Sequence, residues 1–295
     1  MASCSASGRR TFGMRHLFKA AYQSAIRNLP MTLSVILQYI RHHQRFPHLY
    51  HPVLFTEKLY HRKLYDKDRR FVRLANKIAV KRWAAQKLGT EWIIPSLFEG
   101  NALPPRAERD WPVPFVIKPN NSSGRCIFVT ERNVDWTTVE RECRDWLADR
   151  KPNMSGDWYY DPIEPALLVE PMLGSSAPPH DYKIFVFSGV AHYVQVDTDR
   201  FVAHKRTLFT RDWRPVRVNY GYPMHEDDLA PPKGLDELLA AAELLGGEFS
   251  FCRIDLYDVE PSPKFGEVTF VPDSGEQRFI PRSFDEHLGR LWAYP

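Results

Sequence analysis

Three lysines, one arginine and two carboxylates occupy positions where a lone charge is costly. Lys118 ends the apolar run FVIK, Lys183 lies inside HDYKIFVF, and Lys77 falls in the first turn of a helix-forming segment, NKIAVKRWAAQKLG. An ammonium in an apolar strand must reach a partner or water. At a helix N-terminus it opposes the helix dipole unless a phosphate lies near. Asp255 in CRIDLY and Glu267 in FGEVTF sit on two strand-like runs joined by the turn EPSPK. On adjacent antiparallel strands such carboxylates can face the same way, leaving room for Mg²⁺ and phosphate oxygens. The plain alternative is a pair of solvent-facing carboxylates on a hairpin. Arg253 shares the face of Asp255, and Cys252, Ile254 and Leu256 form the opposite, apolar one. An arginine and an aspartate on a half-buried strand need partners, and cation, anion and metal together suit an anionic ligand. After Lys118 comes Asn120-Asn121-Ser122-Ser123-Gly124. It reads either as a hairpin turn or as a lid over phosphates. It is not a Walker A loop, because GxxxxGK[ST] is missing.

The elements that must position these residues follow from periodicity and punctuation. GMRHLFKAAYQSAIRNL and MTLSVILQYIRHHQRF read as helices, the second opened by Pro30. Thr56 and Asn76 are expected N-caps and Gly89 a helix stop, leading to a strand from 93 to 98. Strands are expected at FVIKP and CIFVT, a helix from 137 to 149, and a break at KPNMSGDWYYDPIEP. Beyond it ALLVEPML, YKIFVFSGVAHYVQVDT, KRTLFT, FSFCRIDLYDV and FGEVTFVP read as strands, with Ser188-Gly189 as a hairpin turn. GLDELLAAAELLGG and SFDEHLGRLW read as helices. The fold class is α+β. The expected parts are a basic helical extension at 1–54, an N-terminal part at 55–163 and a C-terminal lobe at 164–295.

At 295 residues and 43% hydrophobic composition the chain can bury a sizeable core. Its net charge of +4 gives no nucleic-acid-sized excess, so no nucleic-acid partner is expected. The positive charge is uneven, since no Asp or Glu occurs before Glu57 while Arg9, Arg10, Arg15, Lys19, Arg27, Arg41 and Arg45 do. That segment reads as a solvated helical extension, a face for anionic lipid or an acidic partner, or a transit peptide. Cys4, Cys126, Cys143 and Cys252 lack zinc or disulfide spacing, which points to a reducing compartment. No apolar run approaches the ~20 residues of a membrane span. A cytoplasmic protein is expected, with peripheral contact at the inner membrane face through its basic N-terminus. His42, His43, His48 and His51 cluster without a carboxylate or cysteine, a poor metal signature.

Taken in order, FTEKLYHRKLYDKD, LANKIAVKRW, FVIKPNNSSGRCIFV, LLVEPML, DYKIFVFSG, CRIDLYDV and FGEVTFVPDSG resemble the ATP-grasp superfamily. More narrowly they resemble its teichuronopeptide-biosynthesis (TupA)-like branch, which is linked to surface-polysaccharide synthesis. The resemblance covers roughly 55–289 and implies two α+β lobes clasping ATP. It implies that Lys77 and Lys118 bind phosphates, with Ser122, Ser123 and Gly124 in the loop closing over them. Glu170 would lie in the segment that holds the adenine edge, and Asp181 and Lys183 on a charged strand facing the phosphates. Asp255 and Glu267 would hold two Mg²⁺ ions, and Arg253 would steady the oxyanion of a tetrahedral intermediate. Two positions depart from the pattern. Thr269 stands where a third metal ligand, Asn, is usual, which implies a second ion held more weakly or through water. Ala177 stands where a ribose-binding glutamate is usual.

The activity implied is an ATP-dependent carboxylate–amine ligase. An acyl phosphate forms, and an amine displaces phosphate to give an amide. The branch implies an amino acid joined to a sugar acid or acidic polymer during envelope polysaccharide synthesis. Two rivals remain: a kinase phosphorylating a hydroxyl, with Asp181 or His180 as base, and a degenerate nucleotide-binding module. The basic stretch Arg200, Lys205, Arg206, Arg211, Arg214 and Arg217 reads as a receiver of acidic substrate or as a solvated face.

Overall fold

The computed structural model describes residues 29–150, 153, 155–174, 179–198, 203–226 and 228–294. The first expected helix and Ala177 lie outside the described residues, as does Arg200. Helices α1 (Met31–His43), α2 (Phe55–Tyr65), α3 (Arg70–Ala75) and α4 (Lys77–Leu88) come first. A small antiparallel sheet follows, in the order β1 (Phe98–Gly100), β4 (Leu167–Pro171), β2 (Phe115–Pro119), β3 (Ile127–Val129). Helix α5 (Trp136–Ala148) packs on one face of it. The large sheet has the order β11 (Lys264–Thr269), β10 (Phe251–Tyr257), β5 (Asp181–Phe187), β6 (Val190–Thr198), β7 (Lys205–Thr210), β8 (Pro215–Val216). A two-stranded ribbon pairs β9 (Asn219–Tyr220) with β12 (Phe279–Ile280), and helices α6 (Leu235–Gly246) and α7 (Ser283–Leu291) complete the chain.

Local signals account for several boundaries. The Asn76 side chain caps α4, accepting from the Ile78 and Ala79 amides, and Gly89 stops that helix at φ 97°. Ser188 and Gly189 form the β5–β6 turn with φ 47° and 83°, as a two-residue hairpin needs. Thr56 is not an N-cap. Helix α2 begins one residue earlier, and the Thr56 hydroxyl donates instead to Asp285 of α7 at 2.7 Å. The strand expected at 93–98 shrinks to β1, because Pro95 offers no amide to a ladder.

The division expected at residue 163 does not separate the sheets. β4 lies beyond it yet pairs with β2 in the small sheet, matching Lys118 with Leu168. Helices α2–α4 lie before it, yet Phe55, Leu59, Phe71, Val80 and Trp83 belong to the core of the large sheet. The chain enters the small sheet and returns, so sheet membership alternates along the sequence.

The large sheet has two unlike faces. Tyr182, Ile184 and Val186 of β5 oppose Leu256, Ile254 and Cys252 of β10 on the face covered by α6. Gly246 permits that approach, since a Cβ there would sit 2.6 Å from Val186 Cγ1. The other face changes character along its strands. At one end Phe185, Phe187 and Phe251 pack under Phe55 of α2 and Trp292. At the other end Asp181, Lys183 and Asp255 face the small sheet. One end of each strand is therefore anchored in aromatic core while the other end holds charges at a cleft. No helix among the described residues is long and apolar enough to cross a membrane.

Candidate active site

The two sheets enclose a cleft of about 1220 Å³. Its floor is a row of register partners. Asp255 sits opposite Glu267 on one side and Lys183 on the other, and Arg253 opposite Thr269. Arg253 grips Asp255 with two bonds, Nε to Oδ1 and a terminal nitrogen to Oδ2, both 2.7 Å. Lys183 reaches Asp255 Oδ2 at 2.9 Å and pairs with Asp181. The Thr269 hydroxyl accepts from Arg253 at 3.2 Å and donates to Glu267 at 3.4 Å. Burial opposes ionisation of Asp255, but Arg253 and Lys183 outweigh it and hold the carboxyl below its ordinary value. Burial likewise opposes the Lys183 charge, and Asp181 and Asp255 reverse the balance and raise its pKa. The floor therefore carries fixed charges of both signs.

The roof is the cleft-facing side of the small sheet. Its opposite side packs Phe115, Ile117, Val129, Leu167 and Val169 against Val139 and Cys143 of α5. Strand alternation then turns Lys118 and Glu170 to the cleft. Glu170 is buried and lies between two lysines, Lys118 at 2.6 Å and Lys81 at 2.7 Å, which hold its pKa down against the effect of burial. Lys77 donates to the Ser122 carbonyl, and burial pushes its pKa below the usual lysine value. The Asn120 carbonyl accepts from the Lys77 amide at 3.0 Å, tying the start of α4 to the end of β2. In the loop that follows, the Ser122 hydroxyl is buried without a hydrogen-bond partner among the described residues. Gly124 has φ 76° and open space where a Cβ would stand. An unsatisfied hydroxyl in the same cleft as the Lys77 and Lys118 ammonium groups suits a phosphate oxygen.

All twelve expected site residues line this one cleft. Lys77, Lys118, Ser122, Ser123, Gly124 and Glu170 come from the roof side, and Asp181, Lys183, Arg253, Asp255, Glu267 and Thr269 from the floor. The oxygens of Asp255, Glu267 and Thr269 are of the kind Mg²⁺ takes. Among the described residues no group of three or more His, Cys, Asp or Glu could hold a metal. Asp255 and Glu267, with the Thr269 hydroxyl beside them, fit an ion that draws its remaining ligands from water and phosphate.

Sequence reasoning missed several residues of the cleft. Lys81 follows Lys77 by one helical turn, a spacing that places both on one face. Asp197 of β6 also lines the cleft, with Arg206 opposite it on β7 and His204 just before that strand. The basic stretch is not one face. Arg206 is buried against Asp197 and Asp273, while Lys205 and Arg211 pair outside with Glu226 and Glu243. The histidine cluster is structural at His43, which hydrogen-bonds the Gly275 carbonyl at 2.8 Å and stacks on Tyr39. Burial lowers its pKa to about 4.

A family model described as TupA-like ATPgrasp matches residues 57–293. No curated protein matches the sequence. Among solved structures, the chain is similar to the D-alanine–D-alanine ligase from Bacillus anthracis, with TM-score 0.42 and 14% identity, covering 74% of this chain and 64% of that one. It is also similar to the D-alanine–D-alanine ligase from Helicobacter pylori, with TM-score 0.38, 13% identity and coverage of 69% and 53%. A third is the ATP-grasp ligase PsnB complexed with a minimal precursor, with TM-score 0.36, 14% identity and coverage of 68% and 52%. The chain spans about half to two thirds of the length of these structures.

Proposed function

The chain belongs to the TupA-like ATP-grasp family, and from that premise we propose that it is an ATP-dependent carboxylate–amine ligase working through an acyl phosphate. The observation that carries this reading is the buried Arg253 guanidinium, fixed by Asp255 on the cleft floor and 3.7 Å from Glu267. A rigid cation beside paired carboxylates serves a reaction in which negative charge moves between a phosphate and a carbonyl oxygen.

Lys77 and Lys118 bind the ATP phosphates, with the 121–124 loop closing over them. Glu170 orients Lys118 and Lys81, and the backbone after it, residues 172–174, meets the adenine edge. The donor carboxylate attacks the γ-phosphorus, ADP leaves, and Lys183 faces the charge that builds on the phosphate. Arg253 then stabilises the oxyanion as an amine attacks the acyl carbon and phosphate departs. Asp255 and Glu267, with Thr269 beside them, would hold Mg²⁺, which would supply positive charge to the phosphates. The work of the protein is positioning and fixed charge, with no protein nucleophile.

The substrate pair is an amino acid with a sugar acid or acidic polymer of the envelope, the class suggested by the branch resemblance. The acid-free segment before Glu57 fits docking near a membrane-bound polymer machine, and sedimentation with anionic vesicles at low and high salt tests that. Of the two bases expected for hydroxyl phosphorylation, Asp181 is paired with Lys183 and His180 lies at the cleft beside Tyr182, and no observation favours that reaction. The ligase reading is tested by incubating the protein with Mg-ATP, hydroxylamine and a panel of amino and uronic acids. Hydroxamate and ADP appearing together with one carboxylate supports it. ADP that appears only with a hydroxyl compound, without hydroxamate, excludes it.

A further inference from the structure

The cleft has a second corner that the phosphate-binding row does not use. It lies where β6 and β7 extend past β5. Asp197 faces Asp181 across the β5–β6 ladder, one strand spacing of about 4.8 Å from the strand of Lys183. Asp197 is buried and accepts from Arg206 Nε at 2.6 Å and Gln195 Nε2 at 3.0 Å. His204, just before β7, brings Nε2 to 3.3 Å from Asp197 Oδ1, and its ring stacks on Tyr222 at 3.7 Å between centroids. Arg206 also reaches Asp273 at 2.7 Å. Asp273 and the adjacent Ser274 both hold left-handed backbone, φ 47° and 52°, a conformation that costs free energy in non-glycine residues and concentrates at functional sites. Despite burial, Arg206 holds the Asp197 carboxyl down at about 2, so an anion stands behind the imidazole.

We infer that this corner receives the amine substrate, and that His204, backed by Asp197, is the general base that frees the amine to attack. The inference rests on the ligase reading. An alkyl amine arrives at neutral pH as an ammonium ion, which has no lone pair to offer. The phosphate-binding row supplies no ready base, because Lys183 and Arg253 are cations, Asp181 and Asp255 are paired with them, and Glu267 is taken as a metal ligand in the ligase reading. Imidazole is the group most often used for such a transfer. Nε2 is buried on the Asp197 side, 3.3 Å from Oδ1 and without a hydrogen bond among the described residues, so Nδ1 is the nitrogen left to accept a proton, and the nearby carboxylate stabilises the imidazolium that forms. Asp197 and Asp273 also give the corner the charge that draws an ammonium.

The step balances. The ammonium gives one proton to His204 and its nitrogen lone pair forms the C–N bond. The C–O bond to phosphate breaks with its electron pair on the leaving oxygen. A second N–H proton leaves with the phosphate as hydrogen phosphate, and His204 returns its proton to water.

The test uses the full chain with His204→Gln and His204→Asn beside wild type. Each is given Mg-ATP, a donor (L-glutamate, D-alanine or D-glucuronate in turn) and one of two kinds of nucleophile. Hydroxylamine is largely unprotonated at neutral pH and needs no base, whereas glycine, D-alanine and L-lysine amines do. The ratio of amide to hydroxamate rate, which cancels losses of folded protein, falls by about 10² or more in both variants. An unchanged ratio overturns the assignment, as does a wild-type protein that makes hydroxamate but couples none of these amines. A wild-type protein that makes no hydroxamate removes the ligase reading, and this inference with it.

Discussion

Replacing Asp255 by Asn keeps side-chain volume while removing the charge that organises the cleft floor. In the folded protein this carboxylate takes two bonds of 2.7 Å from Arg253 and one of 2.9 Å from Lys183, and all three side chains are buried. An Asn amide nitrogen would turn a donor toward donors and leave two buried cations short of an anion. Removing one partner of a buried ion pair costs about 3–5 kcal/mol. At roughly 2.1 cal/mol/K per residue, 295 residues give an unfolding entropy of about 0.6 kcal/mol/K. The variant therefore melts about 5–8 °C below wild type at pH 7. The sign of the pH dependence follows from the depressed folded pKa. The contribution of Asp255 is complete above the unfolded aspartate value near pH 4, and is lost as pH falls below it toward the folded value. The gap between the two melting temperatures thus narrows in acid. Thermal melts by circular dichroism from pH 7 to pH 3 measure both effects. A shift under about 1 °C at pH 7, or a gap that does not narrow in acid, refutes the reasoning.

Other consequences can be checked separately. Glu170→Gln leaves Lys81 and Lys118 without their shared anion, and the KM for ATP rises about 10-fold or more, as loss of charged hydrogen bonds implies; an unchanged KM in steady-state kinetics contradicts the orienting role. Gly246→Ala drives a methyl to 2.6 Å from Val186 Cγ1 and costs about 1–3 kcal/mol in urea unfolding, whereas a stable variant would mean that α6 can move off the sheet. Chelation of Mg²⁺ abolishes ADP release and added Mg²⁺ restores it; turnover in excess chelator would remove Asp255 and Glu267 as metal ligands.

The sequence showed most clearly what is set by neighbours in the chain. The Asn76 cap, the Gly89 stop and the Ser188-Gly189 turn follow from side chains within a few residues, and structure and pattern agree there. The two faces of β10 were legible for the same reason, because alternation at period two separates Arg253 and Asp255 from Cys252, Ile254 and Leu256. What pairs across long separations was not legible. Lys81 and Glu170 are 89 residues apart and meet only once α4 is tied to the small sheet through Asn120. The corner of Asp197, His204 and Arg206 depends on the register of β6 against β7. In sequence Arg206 was one of a run of basic residues, because nothing local distinguishes a buried arginine from an exposed one.

The most direct test of the account follows oxygen. With the donor found in the hydroxamate screen labelled with ¹⁸O in its carboxylate, one labelled oxygen passes into each phosphate released as the amide forms. Label in the phosphate at one atom per turnover is the predicted result. Unlabelled phosphate, with amide made or ADP released at the same rate, would contradict the acyl phosphate and with it the proposed function.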